Sequence, residues 1–123
     1  MIKLVYCVRR RDDWTFPAFS ERWLKQHGPL VRRYAEAIRA RRYVQSHLLT
    51  SDVNEQLRAS RDMRPAYDGI TEVWWDSLDD LHAGIATPEG QAAGQALIDD
   101  EADFIDLKRS RIFLTEEHTI FDL

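Results

Sequence analysis

Phe19-Ser20-Glu21-Arg22-Trp23-Leu24-Lys25-Gln26-His27-Gly28-Pro29-Leu30 is the stretch around which the chain is organised. Residues four apart on a helix lie above one another, so Phe19, Trp23 and His27 form one line. Proline disfavours the helical conformation in the residue before it, which predicts a break at Gly28. The reading is a first helix from about Phe16 to Gln26 that ends in an imidazole. A second helical piece, marked by Leu30, Tyr34 and Ile38, runs to about Ala40. Thr15 supplies the N-cap, Pro17 fits the first turn, and Trp14 with Phe19 matches a hydrophobic staple.

Outward from this helix, strand patterns flank helical ones. Ile2 to Val8 is rich in β-branched and aromatic residues and apolar on both faces, as expected of a strand covered on both sides. Arg41 to Leu49 reads as a second strand, with Tyr43, Gln45, His47 and Leu49 sharing one face. Residues Thr50 to Asp68 lack a sustained period, apart from one or two helical turns over Asn54 to Ser60, and a connection this long suggests a functional loop such as a lid. Ile70 to Asp76 is a third strand, with Glu72 and Trp74 on one face. Ser77 and Asp80 form a capping box for a short helix through Ile85, and Thr87-Pro88 starts the next. That helix carries a narrow face of Ala92, Ala93, Ala96 and Leu97 and stops at Asp99-Asp100-Glu101. Asp103 to Asp106 is a link, and Ser110 to Phe121 is the last strand.

Composition bounds the function. The 123 residues are 44% hydrophobic and 11% aromatic, which suits one domain over 1–123 with a real core. Net charge is −4, and the arginines are interspersed among 21 acidic residues, so no nucleic-acid footprint emerges. The single cysteine, Cys7, makes neither an internal disulfide nor a structural zinc site. The apolar run at Ile2 is too short for a signal peptide, and no segment reaches the roughly 20 apolar residues that span a bilayer. A soluble, cytoplasmic protein is expected. No HExxH, glycine-rich phosphate loop or GxSxG occurs, so no metal and no ATP, nicotinamide or flavin cofactor is expected.

Strand, helix, strand, strand, helix, strand is the split βαβ order of an α+β, ferredoxin-like sandwich. Two helical segments cover one face of a four-stranded antiparallel sheet. The other face is left uncovered although its side chains are in part apolar, and each such side chain left wet forfeits roughly 1.5–3 kcal/mol. Pairing sheet against sheet in a homodimer is the economical solution, with an apolar cavity between the two curved sheets.

Several stretches together resemble the EthD family of the dimeric α/β-barrel superfamily. They are Ile2-Lys3-Leu4-Val5, Phe19 with Trp23 and His27-Gly28-Pro29-Leu30, Arg42 to His47, Tyr67 to Trp74, Pro88-Glu89-Gly90, and Glu101 to Asp106. Ser46 and Asp103 stand where relatives often carry Asn, and residues 50–68 match least. The resemblance implies a ferredoxin-like protomer that dimerises into a β-barrel. Relatives are linked to ether degradation and to fungal aromatic polyketide dehydratases or decarboxylases, and the wider superfamily holds cofactor-free monooxygenases, isomerases and haem proteins. Fold alone does not choose among these.

The candidate catalytic residues are His27, which would shuttle a proton, and His47 and Tyr43, which would polarise a carbonyl or phenol oxygen. At a helix C-terminus the dipole favours charged His27, burial beside Phe19 and Trp23 favours the neutral ring, and the balance suits proton transfer near neutral pH. His47 either faces the barrel with Tyr43 or sits in the core as a bonded histidine, because a period of two does not label the faces. Glu72 beside Trp74 is a candidate acid, Asp103 or Asp106 a candidate partner for a histidine, and Phe19, Trp23 and Phe104 the aromatic wall. His82 and His118 read as surface residues. The expected function is a cofactor-independent lyase or isomerase moving a proton on a small apolar aromatic or polyketide-like molecule. The alternatives are a cofactor-free or haem-binding oxidoreductase and a non-catalytic ligand-binding dimer.

Overall fold

Strand β1 (Ile2–Val8) pairs antiparallel on both sides in the computed structural model, which describes residues 1–123. β3 (Gly69–Trp75) lies on one side of it and β4 (Arg111–Glu116) on the other, while β2 (Arg42–His47) adds beyond β3. The sheet order is β2-β3-β1-β4, the antiparallel ferredoxin-like arrangement that the element order predicts. α1 (Phe16–Arg22), α2 (Gly28–Tyr34), α4 (Leu78–Ala86) and α5 (Pro88–Phe104) complete the fold. The N-caps form as read: Thr15 accepts from Ala18 N at 3.3 Å, Ser77 from Asp80 N at 3.0 Å and Thr87 from Gly90 N at 2.9 Å.

The registers label the sheet faces, which sequence parity leaves open. Leu4, Tyr6 and Val8 of β1 pack toward the helices, as do Thr71, Val73 and Trp75 of β3 and Tyr43, Gln45 and His47 of β2. Lys3, Val5 and Cys7 share the opposite face with Arg42, Val44, Glu72 and Trp74. Two buried clusters sit under the helices. One joins Tyr6, Val8, Phe19, Trp23, Phe104 and Ile105, and the other joins Ile38, Val73, Trp75 and Ala93. Ala92, expected on the packed face, points to solvent instead.

The break expected at Gly28-Pro29 does not occur. Between α1 and α2 the segment Trp23–His27 is a π-turn, and the chain stays helical from Phe16 to Tyr34. Proline clashes with the Cβ of the residue before it, and Gly28 has none, so Gly28 keeps helical angles of φ −53° and ψ −54°. The helix ends at Tyr34, short of Ala40, and the chain reverses through Arg39 at φ 60°.

Three further boundaries move. α5 continues past Asp99-Asp100-Glu101 because Phe104, fully buried, anchors its end, and Arg22 neutralises the acidic last turns. β4 stops at Glu116 because Glu116 already pairs with Ile2, the first residue of β1, leaving the chain beyond it no partner. Residues 50–68 contain a nine-residue helix, α3 (Asp52–Ser60), capped by Ser51 and burying none of its side chains.

Candidate active site

His27 closes the π-turn, where the wider i→i+5 spacing lets the Gly28 N–H donate to the Trp23 carbonyl. Single π-turns within α-helices occur frequently at functional sites. The ring is only 4% exposed. Its Nδ1 lies 2.7 Å from Asp100 Oδ2. Asp100 is itself gripped by Arg22, whose Nη2 and Nη1 donate at 2.7 and 3.1 Å. The Arg22 guanidinium lies over the Phe104 ring at 4.6 Å, and the His27 ring meets the same phenyl edge-on at 5.5 Å. The carboxylate of Asp100 is held below its usual range, first by the hydrogen bonds of Arg22. It therefore accepts the proton of His27 Nδ1 and leaves the Nε2 lone pair free. Burial lowers the proton affinity of the imidazole, against the opposing pull of Asp100.

The second nitrogen faces a second acid. His27 Nε2 lies 3.9 Å from Glu101 Oε2, too far for a direct hydrogen bond and close enough for one ligand to meet both from the cavity side. Burial pushes the Glu101 carboxyl up to about 7, although the Tyr6 hydroxyl, donating to it, pulls the other way. At neutral pH the site thus holds an imidazole base with its lone pair turned toward a carboxyl that is still partly protonated. Two titratable groups whose environments separate their roles are the mark of an acid–base pair.

Both groups line one cavity of about 250 Å³ between the helix-covered sheet face and α5. Its wall is mainly apolar, with Leu4, Val31, Val73 and Ile112 among its members, and His27, Glu101, Tyr43 and Thr71 supply the polar points. An apolar cavity of about 150 Å³ takes benzene, so this one takes about ten non-hydrogen atoms. This cavity lies within the chain, on the helix-covered face of the sheet; the cavity expected between two sheets belongs to the homodimer.

The candidate residues separate into three groups. His27, Tyr43 and Trp23 line the cavity. Phe19 and Phe104 are fully buried behind it and pack ring to ring at 5.8 Å. His47 does not line it: its ring stacks on Trp23 at 4.4 Å, and its nitrogens bond Ser20 and Gln45. Glu72 and Trp74 lie on the opposite face of the sheet, where Glu72 pairs with Lys3 at 2.7 Å and Arg42 covers the Trp74 ring at 4.5 Å. The parity of β3 thus brings Thr71 and Val73 to the cavity in their place. Asp103 bonds Arg22 Nε at 3.3 Å with its side chain 58% exposed, and Asp106 caps the turn before β4. Neither reaches a histidine. The partner is Asp100, one helical turn earlier than Asp103.

Arg22, Asp100, Glu101 and Tyr6 are the site residues that the sequence reading missed. Read locally, the acidic run 99–101 is a helix stop, whereas α5 runs on to Phe104. The usable signal was that a run of three acids in a helix's last turns opposes the dipole and needs a cation against it.

A model for the EthD domain matches residues 11–108 of the chain. The solved structure of an ethyl tert-butyl ether d (EthD) family protein from Bacillus halodurans C-125 is similar, with 22% identity, a TM-score of 0.63, and 96% of this chain and 99% of that one covered. An EthD-like protein from Ralstonia eutropha JMP134 aligns at 16% identity and a TM-score of 0.61, covering 94% of this chain and 89% of its own. A dimeric ferredoxin-like protein of unknown function from Thermobifida fusca YX aligns at 17% and 0.57, covering 93% and 88%. No curated protein matches the chain. No helix is long and apolar enough to cross a membrane.

Proposed function

The chain belongs to the EthD family, and on that premise we propose that it is an enzyme that moves a proton on a small, mainly apolar carbonyl compound of aromatic or polyketide type. The observation that carries this reading is the gap of 3.9 Å between His27 Nε2 and Glu101 Oε2 in the wall of an apolar cavity. His27 Nε2 takes a proton from the carbon beside the carbonyl. Glu101 gives its proton to the oxygen that gains charge, or to a departing hydroxyl. Asp100 keeps the imidazole in the tautomer that can act and stabilises the cation that forms, and Arg22 holds Asp100. Enolisation and dehydration lie within this chemistry, and decarboxylation of a β-keto acid uses its reverse: CO2 leaves as Glu101 protonates the carbonyl oxygen, and a protonated His27 returns a proton to the carbon, all without a resident cofactor. The cavity volume of about 250 Å³ favours a ligand of one or two rings over a porphyrin.

A homodimer is part of the reading. Val5, Val44, Trp74 and the half-exposed Phe113 lie on the sheet face that the helices leave open, and the Thermobifida neighbour is described as dimeric. Light scattering at micromolar concentration gives twice the protomer mass on this account, and a stable monomer contradicts it.

Exchange of the acetyl protons of para-hydroxyacetophenone in D₂O, followed by NMR, tests the chemistry. The protein accelerates exchange over buffer, and His27→Asn and Glu101→Gln each reduce the acceleration by about 10²-fold or more. A wild-type protein that leaves the buffer rate unchanged, or variants equal to wild type, would sink the reading.

A further inference from the structure

Outside the cavity wall a chain of side chains runs toward it. The Ser20 hydroxyl meets His47 Nδ1, and His47 Nε2 lies 2.8 Å from Gln45 Oε1. Gln45 Nε2 lies 2.9 Å from the Trp23 carbonyl and 2.9 Å from the Tyr43 hydroxyl. One end fixes the direction of every bond. The Trp23 carbonyl only accepts, so the Gln45 nitrogen faces it and the Gln45 oxygen is an acceptor. His47 Nε2 then carries the proton given to that oxygen, and its Nδ1 lone pair accepts the Ser20 hydroxyl. Burial lowers the proton affinity of this imidazole, consistent with a neutral ring in that tautomer.

All the donors therefore point toward Tyr43. Hydrogen bonds aligned in one direction polarise one another, so a hydroxyl that accepts at the end of such a chain donates its own proton more strongly. Tyr43 stands in the cavity wall, as does Thr71, whereas Ser20, Gln45 and His47 do not. His27 and Glu101 stand in the same wall.

We propose that the Tyr43 hydroxyl is the donor that receives a carbonyl oxygen of the ligand, and that Ser20, His47 and Gln45 are positioning residues that keep it a donor. The proposal rests on the proton-transfer reading and narrows it. The substrate class is a small aromatic ketone with its acidic carbon at His27 and its carbonyl oxygen held by the Tyr43 hydroxyl, Glu101 giving its proton only as that oxygen gains charge. His47 matters to the reaction through Gln45, without touching the ligand.

The test uses para-hydroxyacetophenone labelled with ¹³C at the carbonyl, titrated into the full chain. Hydrogen bonding to Tyr43 moves the bound carbonyl resonance downfield. Tyr43→Phe removes that displacement and lowers acetyl exchange by about 10²-fold, the usual cost of deleting one oxyanion donor. Gln45→Glu presents an acceptor to Tyr43, turns the phenolic proton away from the ligand and removes the displacement as well. Ser20→Ala, a change small enough to leave the fold intact, reduces it. His27→Asn leaves it in place while lowering exchange by about 10²-fold or more, and the two readings fail separately: a wild-type protein that shows the displacement but no exchange above buffer sinks proton transfer and keeps the donor. A carbonyl that does not move on titration, or moves equally in Tyr43→Phe, overturns the donor assignment. Equal displacement in wild type, Gln45→Glu and Ser20→Ala overturns the chain.

Discussion

Replacing Glu101 by Gln removes a carboxyl that the fold holds near 7, about two and a half pH units above its ordinary 4.5. The side chain is 15% exposed, so most of the burial penalty on its charged form is retained. Between about 4.5 and 7 the folded protein keeps a proton that the unfolded chain has released. The folded state binds more protons there, so the contribution of this group to stability falls as pH rises through that window and is lowest above it. At about 1.4 kcal/mol per pH unit the loss is about 3 kcal/mol. Gln keeps the shape and an oxygen for the Tyr6 hydroxyl but never ionises. His27 has the opposite slope, since its lowered affinity makes the folded state gain stability as pH rises toward 6.5, and this slope is common to both proteins. The difference between them in urea unfolding therefore isolates Glu101. Glu101→Gln gains about 3 kcal/mol on wild type between pH 4.5 and 8. A difference that stays flat within about 0.5 kcal/mol over that range would refute the buried, proton-holding carboxyl, and the general acid with it.

Asp100→Asn leaves the Arg22 guanidinium, whose residue is 9% exposed, with only the solvent-exposed Asp103 carboxylate at 3.3 Å, and unfolding free energy at neutral pH falls by about 3 kcal/mol. Asp103→Asn, at a 58% exposed carboxylate, costs under about 0.5 kcal/mol in the same assay. Gly94 lies inside α5, and a Cβ there meets nothing within 4 Å; Gly94→Ala therefore gains about 0.5–1 kcal/mol in thermal unfolding. Gly94→Leu keeps the fold and loses para-hydroxyacetophenone binding by NMR titration, because its side chain enters the cavity. Gly69→Ala drives a Cβ to 2.6 Å from the Ser46 carbonyl and against the Trp23 ring, costing about 1–3 kcal/mol of stability by urea unfolding.

Element order and the caps were legible because Thr15, Ser77 and Thr87 act locally, and the sheet followed from the alternation of helical and strand periods. Where the outcome depended on a distant residue, local signals misled. Pro29 reads as a stop, yet the missing Cβ of Gly28 and one widened turn carry the helix through, so His27 stands in mid-helix and its partner is Asp100, 73 residues on. The dipole argument for His27 thereby gives way to a carboxylate. Parity separated Tyr43 from Val44 and Glu72 from Thr71 without saying which face the helices take; pairing with β1 decides that. Asp100 and Glu101 were hidden for a related reason. Adjacent residues on a helix point about 100° apart, so one can reach each nitrogen of a single imidazole, and nothing in a run of acids announces that imidazole.

A crystal structure of the protein with para-hydroxyacetophenone bound tests the central claim most directly. In that complex the acetyl group lies in the cavity under α5, its methyl carbon about 3–3.5 Å from His27 Nε2, the separation expected of a reactive pose. Its carbonyl oxygen should lie within hydrogen-bond distance of Tyr43. A ligand seated on the open face of the sheet by Trp74 and Glu72, or in the cavity with its acetyl group turned away from His27, would contradict it.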